Sequence, residues 1–412
     1  MSLSIRASNA IQLWCLRHPN PVSSAVLTAF NGAELISYSM KQQDFLTRRV
    51  ELFGPNFAAV GKLHVGEHAE VVGLLAAPQQ RGVMIGQARF VADRMPRGMP
   101  LFMSDDGATG GTGAHGAVHG AIWRDIAKPG QDRLSSPVLA GYVDEAVAQL
   151  VPLGRQPKDA DARPIIQRMV IRFMMYVLFG MEATPEQVES LYEMFYGSSP
   201  STSYTLSAAK PMAPAESKLA GLNASVAAML DAIVAAPALR DYAPDPATGS
   251  LSAREWAELL LAIIGVAAFG GGGNLAVSAV CDIPTEFAID LSDRDVLLRA
   301  ILEVGRIFSP VGNFNLITDA PSEYTVSGKN YTFPKGTVVA GVISVASVDP
   351  TVFPDPLRYD PTRENLLSGF VNFNGVGFDA ERETSTRTCP GRNIAVAMAS
   401  KLLVAWRTAR PA

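Results

Sequence analysis

The sequence predicts a mainly α-helical fold with a small β region, and three observations carry that expectation. From about Pro137 to Pro237 apolar residues recur at three- and four-residue spacing, as in PIIQRMVIRFMMYVLFGME and ESKLAGLNASVAAMLDAIVAA. Ser252 and Glu255 stand in capping-box spacing at the head of the apolar run SAREWAELLLAIIGVAAF, the sharpest helix start in the chain. After Arg306 the character changes: EYTVSGKNYTFPKGTVVAGVISV holds strand-like runs broken by Gly328 and by Pro334 to Gly336, a β-hairpin or meander.

The first hundred residues mix both periods. NFAAVGKLHV reads as a strand, and GEHAEVVGLLAAPQQRG as a helix stopped by Pro78 and Gly82. SSPSTSYTLSAAKPMAPAES reads as a loop between helices, and the segment after Cys389 is helical again. No internal repeat and no clean linker divides the chain.

Composition excludes several classes. With 412 residues, 48% hydrophobic, 18% charged and a net charge of −4, the chain is an ordinary globular one with no basic excess for nucleic acid. The opening MSLSIRASNAIQLWCLRHPN lacks an apolar run long enough for a signal core or a membrane span. The longest apolar stretch, from Leu259, is flanked by Arg254, Glu255 and Glu258 and ends in four glycines, which suits a buried core helix better than a bilayer helix. The expected location is cytoplasmic and reducing. Three cysteines, Cys15, Cys281 and Cys389, do not make a disulfide framework, and no Cys-x-x-Cys pair points to zinc.

Cys389 therefore needs its own explanation. In RTCPGRNIAVAMASKLLVAW a Pro-Gly turn follows it and a helix begins, so free N–H groups and the helix dipole favour a thiolate. Such a sulfur is a nucleophile, a metal ligand or an inert buried side chain. The five histidines, His18, His64, His68, His115 and His119, all lie in the first third and do not decide between these.

RTCPGRNIA resembles the heme-binding loop of the cytochrome P-450 family, Phe-x-x-Gly-x-Arg-x-Cys-x-Gly. The resemblance implies heme b with Cys389 as thiolate ligand of the iron, Gly391 letting the loop turn under the ring, and Arg387 on a heme propionate. EVGR supplies Glu303 and Arg306 in the family's Glu-x-x-Arg spacing, which suits an ion pair on one helix face, and VDPTVFPDPLRYDPTR resembles the segment that contributes a third member, here assigned to Arg358. It also implies a single-domain triangular prism over 1–412: a β-containing part at about 30–100, a helical part at about 110–310, and a hairpin with the ligand loop at about 311–412. The heme would lie between the helix from Leu259 to Val280 and the Cys389 loop.

Three departures from the family pattern carry information. The pattern places an aromatic residue seven positions before the cysteine, whereas Phe373 stands 16 positions before Cys389. An insertion there resembles the allene oxide synthase and hydroperoxide lyase branch. Second, the distal helix reads GVAAFGGGGNLAV, with no Asp, Glu, Ser or Thr in place of the acid–alcohol pair that brings protons to bound dioxygen. Gly271 and Gly272 then allow close approach, and Asn274 is the polar side chain available to a peroxide or substrate oxygen. Third, His115 and His119 in GAHGAVHGAIWRD occupy a family His-x-x-x-Arg spacing, so that His115, His119, Trp123 and Arg124 become candidates for heme-edge contacts.

HVGEH, with His64, Glu67 and His68, matches an inverted zinc-peptidase pattern, but Gly66 separates strand-like residues from the helix and surface or capping histidines fit better. The favoured expectation is a heme-thiolate enzyme that uses or rearranges an organic hydroperoxide on an apolar substrate without external electrons. A conventional monooxygenase fed by a ferredoxin- or flavodoxin-type partner is the alternative, and a non-catalytic heme- or ligand-binding member the third.

Overall fold

Helix boundaries follow the local chemistry of their first turns. In the computed structural model, which describes residues 5–27, 42–76, 114–199, 201, 216–318, 320–382 and 387–409, the chain opens with α1 (Ile5–Arg17) and α2 (Gln42–Phe53). Then come β1 (Phe57–Ala59), β2 (Lys62–Val65), α3 (His68–Ala76) and α4 (Ala114–Ile122). Helix α5 (Pro137–Leu150) starts where the Ser136 hydroxyl accepts the Val138 N–H and Pro137 presets the backbone of the first turn. The 21-residue α6 (Asp159–Phe179) ends at Gly180, whose φ of +68° closes the helix in the left-handed region. Capping boxes Thr184/Gln187 and Ser252/Glu255 open α7 (Pro185–Tyr196) and α9 (Ala253–Ile263), with α8 (Ala220–Ala235) between them.

Beyond Ile263 the helix widens into a π-helical segment, Ile264–Gly272, and returns to α geometry as α10 (Gly273–Cys281). The rod Ala253–Cys281 is long and apolar enough to cross a membrane, its most apolar 18-residue window having mean hydropathy 1.8. Yet 65% of its most apolar window is buried inside the protein, the behaviour expected of a core helix. It packs with α4 to α8 and with α12 (Arg392–Ala409) in the largest apolar cluster, around Trp256, Phe269, Phe173 and Trp406. A second cluster joins α10, α11 (Arg294–Ile307) and α12 through Leu275, Ile301, Leu302 and Leu403.

The strands are short. NFAAVGKLHV is a hairpin rather than one strand: Val60 (φ +51°) and Gly61 (φ +66°) turn the chain between β1 and β2. β2 then pairs in parallel with β6 (Val338–Gly341), and β6 pairs antiparallel with β3 (Phe314–Ile317), giving the order β1-β2-β6-β3. The expected hairpin around Gly328 is β4 (Ser322–Val326) paired with β5 (Lys329–Phe333). The N-terminal β part is described only up to Ala76, and Pro78, Gly82 and most of the loop over 198–217 lie outside the described residues. The fold class is as the sequence predicts, predominantly helical with a small sheet region.

Candidate heme-thiolate site

Cys389 ends a loop and precedes α12. Its N–H donates to the Phe373 carbonyl at 2.7 Å, so the chain between them is looped out while its two ends meet. Phe373 makes this possible by taking a left-handed backbone (φ +61°), and its ring packs against Phe370 and Phe378. The sulfur lies deep in the molecule without being sealed off. Burial pushes its thiol pKa up, while the Gly391 backbone N–H and the Arg392 charge pull the other way.

The loop is held from the last turn of α4 onward. His119 is buried, and its Nε2 meets the Thr388 carbonyl at 2.8 Å. Arg387 is buried beside Thr388. Trp123 is half-buried, with the Arg392 guanidinium 5.7 Å from its ring centroid. His115 shares α4 with His119, but its side chain lies outside the described residues. Arg124 does not join this group. It is 62% exposed and tied to Asp125 at 2.7 Å and Asp245 at 3.7 Å, because the five-residue π turn at Trp123–Ala127 rotates it outward.

Glu303 and Arg306 form an ion pair with both side chains 0% exposed, Nε to Oε2 at 2.8 Å and Nη2 to Oε1 at 2.8 Å. Arg306 further donates to the carbonyls of Ser347 and Pro356, each at 2.7 Å, and lies over the Phe353 ring. The third member is Arg363, not Arg358. Arg363 Nε reaches Glu303 Oε1 at 3.0 Å with 8% of its side chain exposed, and the Asp360 N–H donates to the same oxygen at 3.0 Å. Arg358 is 69% exposed and pairs loosely with Asp360, because the turn closed by its own N–H on the Asp355 carbonyl leaves it outside.

On the distal helix, Ala267 is exposed and Gly270, Gly271 and Asn274 are half-buried, one helical face within a buried rod. A methyl on Gly271 would meet only Val311 at 3.3 Å, and on Gly270 nothing within 4 Å. Gly272 belongs to the opposite face: its Cβ would meet Met174 at 3.2 Å and Met398 at 3.5 Å, so it is a helix-packing position rather than a catalytic one. Phe308 and Val311, in the connection after α11, expose 47% and 42% of their surface, and Val311 lies beside Gly271. Asn274 is anchored at both ends. Its Oδ1 accepts from Arg163 Nη1 at 2.7 Å and its Nδ2 donates to the Pro310 carbonyl at 3.2 Å, so the amide is fixed with a second N–H and a second Oδ1 lone pair still available. Tyr196 Oη donates to the Phe269 carbonyl at 2.7 Å, bracing the widened segment.

The zinc-like pattern is dispersed. His64 stacks on Phe57 at 4.9 Å and contacts the Ala59 carbonyl, His68 meets the Gly369 carbonyl at 2.8 Å, and Glu67 is exposed.

A deep cysteine at a helix start, two residues from a buried arginine, is a set of groups suited to holding a metal-centred cofactor. Residues 288–406 match the cytochrome P450 family model. By sequence the chain is 40% identical over 76 residues to a sterol 14-demethylase of Arabidopsis thaliana, covering 18% of this chain and 15% of that one. It is 38% identical over 97 residues to obtusifoliol 14-alpha demethylase of Sorghum bicolor, covering 21% and 19%. These matches thus span less than a fifth of the relatives' length. By structure it is similar to P450BioI in complex with an acyl carrier protein ligated to hexadec-9Z-enoic acid, with TM-score 0.57, 15% identity and coverage of 90% and 91%. CYP108D1 from Novosphingobium aromaticivorans gives TM-score 0.60 and 16% identity over 89% and 86%.

The family match thus covers the C-terminal part of the chain, and the fold over the rest is similar to that of P450 structures; the cofactor these likenesses imply is heme held by a cysteine thiolate. The residues present fit that group: a desolvated but unsealed sulfur and a buried guanidinium beside it match an iron ligand and a propionate partner.

Proposed function

We propose that this protein is a heme-thiolate oxidoreductase acting on an apolar organic substrate, with an organic hydroperoxide as the oxygen source. The carrying observation is the distal wall, where Ala267, Gly270, Gly271 and Asn274 present no acid and no hydroxyl. Thiolate-ligated heme supplies an iron centre at which an O–O bond is activated. Cys389 would hold its iron, and Gly391 N–H and the Arg392 charge are the groups of this chain that favour the thiolate against burial. Arg387, buried beside Thr388, would hold a propionate of that group. Asn274, fixed by Arg163 and Pro310, presents one preorganised N–H to a peroxide oxygen. A hydroperoxide arrives with its O–O bond already at the peroxide level, so a chain without an acid–alcohol relay still has a route to turnover.

Polyunsaturated fatty-acid hydroperoxide mixed with heme-loaded protein, without reductant or oxygen, is expected to be consumed, and Cys389→Ser is expected to lose this activity. Asn274→Ala is expected to slow it about tenfold or more with heme retained, within the range of a lost oriented donor. No consumption, with a thiolate-type carbon monoxide spectrum intact, would overturn the hydroperoxide reading.

The named activities of the curated relatives favour a second reading. It is an oxygen-dependent monooxygenase supplied by a ferredoxin- or flavodoxin-type partner, with substrate hydroxyls or ordered water replacing the missing relay.

A further inference from the structure

Arg392 is the first residue of α12, where a cation meets the positive end of the helix dipole. Its position there is unfavourable unless the side chain has other work. It is 2% exposed, and among the described residues it meets no carboxylate at ion-pair distance. What it does meet is backbone. Nε donates to the Asp379 carbonyl at 2.9 Å, Nη2 to the Arg382 carbonyl at 2.9 Å, and Nη1 to the Cys389 carbonyl at 3.3 Å. Next to it, Asn393 Nδ2 donates to the Ala380 carbonyl at 2.7 Å. The Asp379 carboxylate turns the same stretch by accepting the N–H groups of Glu381 and Arg382 at 2.7 and 3.0 Å.

We infer that Arg392 is a positioning residue, a clasp whose planar fork binds the insertion before Cys389 to the turn that carries the sulfur. One guanidinium holds two carbonyls of the insertion and the carbonyl of Cys389 itself, so the inserted strip Asp379–Arg382 and the sulfur-bearing turn move as one piece. The guanidinium geometry is what matters: three divergent donors in one plane satisfy three carbonyls that a lysine's point charge cannot span. The clasp keeps the insertion over the Cys389 turn and so fixes the sulfur's orientation and its shelter from water, two of the protein's controls on a metal-bound thiolate. The sulfur part of this inference rests on Cys389 being the heme ligand; the grip on the insertion does not.

The Arg382 carbonyl belongs to the bond that trypsin would cut, and it is the acceptor of the Nη2 bond. Heme-loaded parent, Arg392→Ala, Arg392→Lys and Asn393→Ala are compared by tryptic cutting after Arg382 and by decay of the thiolate-type band of the reduced carbon monoxide complex. Losing hydrogen bonds to a charged donor is expected to raise cutting about tenfold or more in Arg392→Ala and Arg392→Lys alike, with Asn393→Ala changing it less. The band is expected to decay several-fold faster in both Arg392 variants. Parental cutting in Arg392→Lys would overturn the clasp, showing that charge and not the fork is used; should Arg392→Ala fail to fold, that variant alone decides. Fast cutting with parental band decay would overturn the link to the sulfur. A parent lacking the thiolate-type band would instead sink the ligand assignment, with the tryptic rates still deciding the clasp.

Discussion

The two walls of the site are built by opposite means. On the cysteine side, position is fixed by side chains that reach far: Glu303 accepts four N–H bonds from three residues, Arg306 bridges helix α11 to the carbonyls of Ser347 and Pro356, and His119 meets the carbonyl next to the sulfur. On the distal side almost nothing reaches. There the wall is backbone and methyl groups, and its shape comes from glycines that let neighbours in. The contrast teaches that ligand geometry needs many satisfied polar groups in a dry interior, whereas substrate space needs side chains to be missing.

The largest effect should come from breaking the first wall. Glu303→Ala leaves the buried Arg306 without its carboxylate and is expected to cost about 3–5 kcal/mol, read as a drop in urea midpoint together with lost heme retention. Gly265→Ala comes next, because its Cβ would sit 1.8 Å from the Phe195 ring. Overpacking of this kind costs about 1–3 kcal/mol, so a parental thermal midpoint would show that the helix is looser than its contacts imply. Gly270→Ala tests the second wall from the other side. Its methyl meets nothing within 4 Å, so stability should rise by roughly 1 kcal/mol while turnover of a bulky substrate falls more than that of a small one. Smallest is Arg358→Ala, an exposed pair, expected to change stability by less than about 0.5 kcal/mol. A large effect there would restore Arg358 to the triad.

Legibility in the sequence followed the range of the interaction. Capping boxes at Thr184 and Ser252, the Glu303–Arg306 pair one turn apart, and the Cys389 turn are all local, and local spacing displayed them. Arg363 was missed in favour of Arg358 because the choice depends on which way a loop points. The available signal was the Asp360-Pro361-Thr362 turn, in which Asp360 Oδ1 accepts the Thr362 N–H and sends the next side chain inward. Arg392 had a signal too, a cation at the wrong end of a helix. Arg124 and Gly272 were misplaced for one reason: π segments at Trp123–Ala127 and Ile264–Gly272 break the periodicity by which helix faces are counted.

That break has a consequence for how this chain lines up with its relatives. A helix with wide turns holds one residue more over the same length than a regular one, and each residue added or removed rotates everything beyond it by about 100°. Deleting one of Gly270 to Gly273 would therefore cost little chain but would swing Asn274 off the open face and carry Leu275 towards it. The glycine run acts as a spacer that sets phase, and its length rather than its composition decides which side chain looks into the site.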